Sequence, residues 1–152
     1  MTEKEAATNF ETQKHINHVR DKMHKVLGLL LQRVQAHDAS KLESPEMEYF
    51  AKYTELLAGL TYGSDEYKRI MAEMKPAIEH HYAKNSHHPE HYKNGINDMT
   101  LVDLIEMLCD WKAATMRHND GNIRKSIEIN AKRFDMSPQL VKIFENTINL
   151  LE

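Results

Sequence analysis

The sequence is poor in the residues that cross-link or interrupt a chain: its 152 residues include 1 cysteine, 5 glycines and 4 prolines. With Cys109 alone, no disulfide can form within the chain, so we expect a protein of a reducing compartment such as the cytoplasm. Scarce glycine and proline, beside abundant Lys, Glu, Leu and Met, favour helices over strands. The chain is long enough to be stabilised by a hydrophobic core alone.

The sequence also lacks an excess of positive charge and a long apolar run. The formal net charge is -3, which argues against duplex nucleic acid as a partner. The longest apolar run, Val26–Leu31, is interrupted by Gly28 and falls far short of the roughly 20 residues that cross a bilayer. The first ten residues are polar, so neither a membrane span nor a secretory signal is expected.

Apolar residues recur at helical spacing over most of the chain. This pattern predicts an all-α protein, a single compact bundle of about six to eight helices over residues 10–152, after a frayed terminus at 1–9. The first apolar stripe, which starts at Phe10, fits two alternatives. It forms either one long helix ending at Ala36 or two helices that turn back at Gly28.

Start signals divide the rest of the chain. Ser44, Ser64 and Ser137 are predicted N-caps, and Thr100 with Asp103 forms a predicted capping box. A proline is expected to end or kink the helix that Ser64 starts, because proline lacks the backbone donor that the helix needs. The predicted helices cover about 45–58, 65–75, 77–84, 101–118, 123–134 and 138–151, with a loop over 85–99. The last of them either seals the core or forms a homodimer interface.

Histidine is the residue present in excess, with 10 copies. Half of them fall in one short stretch: His80, His81, His87, His88 and His91. Imidazole is the commonest metal ligand in proteins, and the stretch also contains tyrosine, proline and amides, so it is not a low-complexity tract. A solvated loop that binds metals only adventitiously is the alternative, and a structured role is favoured.

A second candidate is the pair His37-Asp38, and a third is Asp110. An imidazole and a carboxylate side by side at the end of a helix are suitable ligands for Zn, Mn, Fe or Co. Asp110 lies in an otherwise apolar helix, four residues after Glu106, where like charges repel. Such a carboxylate needs a cation, either a lysine or arginine or a metal ion. The presence of His37-Asp38 and His80-His81 in the same chain favours a metal ion.

The order of these motifs resembles a known family. The run His37-Asp38-Ala39-Ser40-Lys41, followed by His80-His81 and then Asp110, is similar to the signature of HD-superfamily metal-dependent phosphohydrolases. Within that superfamily the resemblance is to bacterial 5′-deoxynucleotidases and to cyclic-dinucleotide phosphodiesterases. The whole chain further resembles a group of small phage and bacterial proteins.

The resemblance implies an all-helical fold with a divalent transition-metal site of one or two Mn, Co, Zn or Fe ions. The ligands that it implies are His18, His37, Asp38, His80, His81 and Asp110. His80 is preferred to His81 as ligand of a second ion. His18 qualifies only if the chain turns back at Gly28, since one continuous helix would place His18 and His37 about 28 Å apart.

The resemblance also implies residues for substrate and catalysis. Lys41 would contact the substrate phosphate, with Arg117 and His88 as further substrate-binding residues, although a salt bridge to Glu106 or Asp120 is the favoured role of Arg117. Asp38 would take part in catalysis through the metal. The deoxynucleotidase pattern has an acidic residue at the position of Lys41, so proton donation would pass to Glu46 or to one of the two histidines of the 87–88 pair.

The function that these residues predict is metal-assisted hydrolysis of a phosphate ester of a nucleotide or related small molecule. Two other functions are considered. The first is a catalytically inactive module, encoded by a phage or a bacterium, that sequesters a nucleotide or a metal. The second is a helical interaction protein with incidental histidines, in which His37 and Asp110 would lie far apart.

Overall fold

The structure is a computed structural model that describes residues 1–60, 64–116 and 121–151. Over these ranges it contains seven α-helices, four short 3-10 turns and no strand, which confirms the all-α prediction. The helices are α1 (Glu3–Ala36), α2 (Glu46–Ala58), α3 (Asp65–Glu73), α4 (Lys75–Lys84), α5 (Leu101–Thr115), α6 (Ile123–Arg133) and α7 (Pro138–Thr147). Over the same ranges, every helix is too short or too polar to cross a membrane.

The chain divides into two units, Met1–Ala36 and His37–Glu152. The first unit is α1, which begins well before the predicted start at Phe10. The reason is a capping box: the Thr2 hydroxyl accepts a hydrogen bond from the Glu5 backbone N–H at 3.2 Å, and the Glu5 carboxylate accepts one from the Thr2 N–H at 2.6 Å. Most of the residues expected to fray therefore lie within a helix.

The turn at Gly28 is not formed, and α1 is continuous through it. A single glycine costs a helix about 1 kcal/mol relative to alanine, which a helix of 34 residues tolerates. The neighbouring Leu27 and Leu29 are not turn residues. Of the two alternatives for this segment, the long helix is therefore the one observed.

The second unit has two apolar clusters. The larger one joins α5, α6 and α7 through Met107, Leu108, Ile123, Ile127, Met136, Phe144 and Ile148. The smaller one lies on α2, α3 and the turn into α4, and its buried members are Tyr53, Ile70 and Met74. Burial of Phe144 and Ile148 shows that the C-terminal segment seals the core.

Most predicted helix starts are confirmed, because they depend on contacts only three residues long. The Ser64 and Ser137 hydroxyls accept the backbone N–H of the residue three positions on, and Thr100 and Asp103 form both bonds of a capping box. The prediction for Ser44 is wrong: α2 begins at Glu46, its cap position is a proline, and no side chain caps it.

Candidate metal centre

Seven ionisable side chains of the second unit form one cluster. They come from the segment before α2, from α4 and the loop after it, and from α5: His37, Asp38, His81, His87, His88, Glu106 and Asp110. These residues form three overlapping sets. Each residue of a set offers one potential ligand atom, and the ligand atoms of a set all lie within 4.8 Å of one another. A helical interaction protein with incidental histidines was expected to hold His37 and Asp110 far apart, whereas His37 Nε2 and Asp110 Oδ1 are 3.9 Å apart.

The first set, which we call the inner group, consists of Asp38, His81, His87 and His88. Asp38 Oδ1 lies 3.4 Å from His81 Nε2 and 3.5 Å from His87 Nε2. The Nε2 atoms of His81 and His88 are 2.9 Å apart. Ligands at about 2.0–2.1 Å from an ion in a tetrahedral arrangement are separated by about 3.3 Å, so this group has the spacing of a metal site.

Two residues of the inner group carry buried polar atoms without a hydrogen-bond partner. They are Oδ1 of Asp38 and both ring nitrogens of His87. The His87 side chain is only 1% exposed, so solvent does not supply the missing bonds. Leaving a buried polar atom unpaired costs about 1–3 kcal/mol, and more for a charged group. A cation between Asp38 Oδ1 and His87 Nε2 would remove this cost at both atoms.

The outer group consists of His37, Asp38 and Asp110. His37 Nε2 lies 3.6 Å from Asp38 Oδ2 and 3.9 Å from Asp110 Oδ1. This side is open, since the side chains of His37 and Asp110 are 34% and 27% exposed. Lys41 Nζ donates to Asp38 Oδ2 at 2.5 Å, so this oxygen already has a cation. The two oxygens of Asp38 therefore differ: Oδ2 has a positively charged partner, whereas Oδ1 has no hydrogen-bond partner.

Glu46 holds His81 in the orientation that a metal ligand needs. Glu46 is fully buried, and its two oxygens lie 2.7 Å from His80 Nδ1 and 2.8 Å from His81 Nδ1. Burial alone would raise the pKa of Glu46, but hydrogen bonds from His80, Ser40 and His81 bring it below the ordinary value. An ionised Glu46 fixes the His81 proton on Nδ1, so Nε2 keeps its lone pair and faces His88 Nε2 at 2.9 Å and Asp38 Oδ1 at 3.4 Å.

Glu106 occupies the corresponding place beside two other histidines. Its Oε1 lies 2.9 Å from His37 Nδ1, which donates to it, and 3.1 Å from His87 Nδ1, where the angle is not that of a hydrogen bond. The Nε2 atoms of both rings are directed at Asp38, at 3.6 Å and 3.5 Å. Two buried carboxylates thus surround the cluster and orient its imidazoles towards Asp38.

The protonation states of the inner group favour the binding of a cation. Burial, with repulsion by His87 and His81, lowers the pKa of His88 to about 3, so its ring is neutral at physiological pH. Burial also lowers the pKa of His81. Burial would raise the pKa of Asp38, but the hydrogen bond and charge of Lys41 outweigh this and hold it below its ordinary value. Neutral imidazoles beside an ionised carboxylate are the protonation states that bind metals.

Local backbone structure explains how these side chains meet. Asp38 has a φ of 54°, in the left-handed region that aspartate tolerates better than most residues, and this ends the helical path after Ala36. The loop with His87 and His88 is fixed by Asp103, whose carboxylate accepts hydrogen bonds from Ser86 and Tyr92 at 2.7 Å and 2.9 Å. Asp103 also caps α5, so one buried side chain ties the loop to the helix that carries Asp110.

Over residues 4–150 the sequence matches a protein family described as a family of unknown function, DUF5662. The chain belongs to this family. No curated protein and no solved structure matches it. Membership of DUF5662 assigns no activity.

In this DUF5662 chain the structure brings together four of the predicted ligands, His37, Asp38, His81 and Asp110. The sequence favoured His80 over His81 as a ligand, and the structure reverses this order. Nδ1 of His80 contacts Glu46, and among the ligand sets found over the described ranges His81 occurs in one and His80 in none. His88, predicted to bind substrate, is instead in the inner group.

Three further predictions are corrected or fall outside the structure. Glu46 is not placed to donate a proton to a substrate, because it is fully buried and both oxygens contact histidines. His18 lies within the uninterrupted α1, so the turn that was required to bring it back is absent. Arg117 lies outside the described residues.

Sequence reasoning missed His87 and Glu106 as members of the cluster. The sequence places His87 in the stretch of five histidines and among the alternative proton donors, but a loop residue has no periodicity that indicates which way it points. For Glu106 the signal was present: an acid four residues before Asp110, on the same helical face, in an apolar helix. Both carboxylates turn to His37, at 2.9 Å and 3.9 Å.

Proposed function

We propose that the protein is a metal-dependent phosphohydrolase of the HD type, which cleaves a phosphate ester of a nucleotide or a related small molecule. One observation carries the proposal: the buried, unpartnered Oδ1 of Asp38 and Nε2 of His87 face each other at 3.5 Å. They belong to a group of three histidines and one carboxylate, the donor set that Zn, Mn, Fe and Co share.

The inner group would hold one divalent ion, Mn, Co, Zn or Fe. When bound, such an ion supplies a Lewis acid that lowers the pKa of a water molecule and withdraws charge from a phosphate oxygen. A second ion at the outer group would compete with Lys41, whose ammonium already contacts Asp38 Oδ2 at 2.5 Å. We therefore propose a single ion, with the outer group as the substrate side.

On that side, this chain's own residues have separate tasks. Lys41 presents a positive charge at the exposed edge of the cluster and would bind a non-bridging phosphate oxygen. His37 is held by Glu106 at 2.9 Å with its proton on Nδ1, so Nε2 can accept the proton of the attacking water. Asp110 lies 3.9 Å from that Nε2 and would stabilise the protonated ring.

A second candidate function is a metal-binding or nucleotide-binding module without turnover. The observation that favours it is the number of protein ligands, because four of them fill the coordination of a tetrahedral zinc ion. Hydrolysis needs a position open to water or substrate, which a six-coordinate Mn, Fe or Co ion would keep. Turnover by the metal-loaded chain therefore separates the two functions.

The proposal is tested by metal analysis and by turnover on the same preparations. The wild-type chain and the Asp38→Asn variant are freed of metal, reloaded with Mn²⁺, Co²⁺, Zn²⁺ or Fe²⁺, and assayed with nucleotides and with aryl phosphate mono- and diesters. We expect one ion per wild-type chain and hydrolysis with at least one metal. Asp38→Asn should lose both.

Asp65→Asn is the matched control, since Asp65 is an exposed aspartate at the start of α3. It should keep the metal and the activity. A wild-type chain that binds an ion but converts no substrate would support the binding module. Equal metal content in wild type and Asp38→Asn would contradict the proposed metal site and with it the hydrolase.

A further inference from the structure

The ion proposed for the inner group leaves one buried atom of that group without a partner. It would bind Nε2 of His87 and Oδ1 of Asp38, but Nδ1 of the same His87 ring also lacks a hydrogen-bond partner. The His87 side chain is only 1% exposed, so bulk solvent does not reach this nitrogen. A buried polar atom that stays unpaired destabilises the folded chain. Nδ1 of His87 therefore needs a partner other than the ion of the inner group.

Nδ1 of His87 lies beside two further potential ligands. Oε1 of Glu106 is 3.1 Å from it and 2.9 Å from Nδ1 of His37. These three residues form the remaining ligand set, which we call the middle group. Both distances are close to the separation of about 3.3 Å between the ligands of a tetrahedral ion. The Glu106 side chain is buried, so solvent screens its charge poorly, and imidazole with carboxylate is a donor set that transition metals favour.

The surroundings of His37 also suit an ion at its Nδ1. A neutral imidazole that binds an ion through Nδ1 carries its proton on Nε2. Nε2 of His37 lies 3.6 Å from Asp38 Oδ2 and 3.9 Å from Asp110 Oδ1, and these carboxylates favour a proton at that nitrogen. The His37 proton would thus change from one ring nitrogen to the other, and the ring as a whole would lose none.

We infer that the middle group is a second site for a divalent transition-metal ion, which the His87 ring joins to the single catalytic ion of the inner group. His87 then binds one ion through Nε2 and the other through Nδ1, and it releases one proton to solvent. An ion at Nε2 favours this release, because its positive charge stabilises the deprotonated ring. The inner group should therefore fill first, and the second ion should bind only at higher concentrations of free metal.

The second ion would inhibit the proposed hydrolysis. In that reaction His37 is the base, and its Nε2 must be free of a proton. Coordination through Nδ1 places the proton on Nε2, so the ring no longer accepts one from water. The rate should therefore rise as the first ion binds and fall as the second binds. This inhibition rests on the proposed function, whereas the second site rests only on the ion of the inner group.

The first test counts the ions bound by the full chain. Wild type is dialysed against increasing concentrations of free Zn²⁺, and bound zinc is measured by elemental analysis. We expect one ion per chain and, at higher concentrations, two. Glu106→Gln should stop at one, whereas Asp110→Asn, which changes an acid of the outer group one turn further along α5, should reach two. A wild-type chain that stops at one ion would overturn the inference. So would loss of the second ion in Asp110→Asn alone or in neither variant.

The second test uses wild type alone, so it remains decisive if Glu106→Gln does not fold. The chain is loaded with one and then two equivalents of Cu²⁺ and studied by electron paramagnetic resonance. Two Cu²⁺ ions joined by one imidazole ring couple their spins, so the signal should grow with the first equivalent and shrink with the second. A signal proportional to the copper added indicates separate ions and would overturn the inference. Coupled ions in a chain without turnover would support the second site and contradict only the proposed function.

Discussion

Oε2 of Glu46 lies 2.8 Å from Nδ1 of His81, although the two residues are 35 positions apart in the chain. The other nitrogen of the same ring lies 3.4 Å from Asp38 Oδ1. The imidazole is thus held between a buried carboxylate that fixes its proton and a second carboxylate at the candidate metal position. His37 repeats the arrangement, with Glu106 on one side and Asp38 on the other.

Glu46→Gln tests the orienting role. The amide keeps the shape of the side chain but removes the charge that holds the His81 proton on Nδ1. Because carboxylates behind metal-binding histidines contribute about 10–100-fold to affinity or activity, we expect the metal dissociation constant to rise by about that factor. Titration with a competing chelator measures it. Glu48→Gln, an exposed neighbour on α2, should leave the affinity unchanged, and an equal loss in both variants would contradict the role.

Lys41→Met separates substrate binding from metal binding. Lys41 contacts only the outer oxygen of Asp38 among the atoms of the inner and outer groups, so the ion should remain bound. If the ammonium stabilises a phosphate oxygen, kcat should fall about 100- to 1,000-fold at full metal occupancy. Lys68→Met on α3 is the control. Loss of metal in Lys41→Met, measured by elemental analysis, would show that the lysine acts by holding Asp38 instead.

Asp103→Asn tests the link between the histidine loop and α5. Hydrogen bonds from Thr100, Ser86 and Tyr92 overcome the effect of burial and lower the pKa of Asp103 to about 2. Because bonds to a buried carboxylate are worth about 1.5–3 kcal/mol, the substitution should lower the free energy of unfolding by about 2 kcal/mol in urea denaturation. It should also weaken metal binding. Asp65→Asn is the control for both measurements, and unchanged metal affinity would show that Asp103 acts on α5 alone.

The stability of the metal-free protein should fall with acid. The pKa of His88 is about 3 in the folded chain against an ordinary value of 6.5, so the unfolded chain binds this proton first. Above pH 6.5 the His88 ring is neutral in both states and does not reduce the free energy of unfolding. As the pH falls from 6.5 towards about 3, the unfolded chain binds the proton and the folded chain does not, so the free energy of unfolding decreases. Urea denaturation in the presence of a chelator, at several pH values across this window, measures the slope.

Two variants test whether His88 causes this dependence of stability on pH. His88→Gln removes the group and should flatten the dependence on pH, whereas His24→Gln, on the exposed surface of α1, should retain it in full. A slope that is the same in both variants would attribute the acid sensitivity to other groups, of which the carboxylates of Asp38 and Glu46 have lowered pKa values.

Much of the fold could be predicted from the sequence because helix starts are decided locally. Ser64, Ser137 and the pair Thr100 and Asp103 act over three residues, and each forms the expected hydrogen bond. The early start of α1 has the same kind of signal, a threonine followed three residues later by a glutamate. It was overlooked because the apolar stripe begins only at Phe10.

The candidate site was harder to predict because its geometry is tertiary. His80 and His81 are neighbours on α4, and a sequence cannot show which one points inwards when that helix has little contrast between its faces. In the structure His81 is the buried one of the two, and His80 contacts Glu46 without joining a ligand set. Likewise, Glu46 had the chemistry of an acid catalyst, and only its complete burial reveals that it serves the histidines instead.

The two apolar clusters of the second unit have a consequence for how it denatures. His81 and Glu46 stand on helices of the smaller cluster, while Glu106 and Asp110 stand on α5, which belongs to the larger one. An ion at the inner group would join Asp38 and His81 to His87 and His88, which lie on the loop that Asp103 ties to α5, and would in this way connect the two clusters. Without it, melting should broaden or separate into two steps, because the α5–α7 half retains its own packing while the histidine-bearing half loosens first.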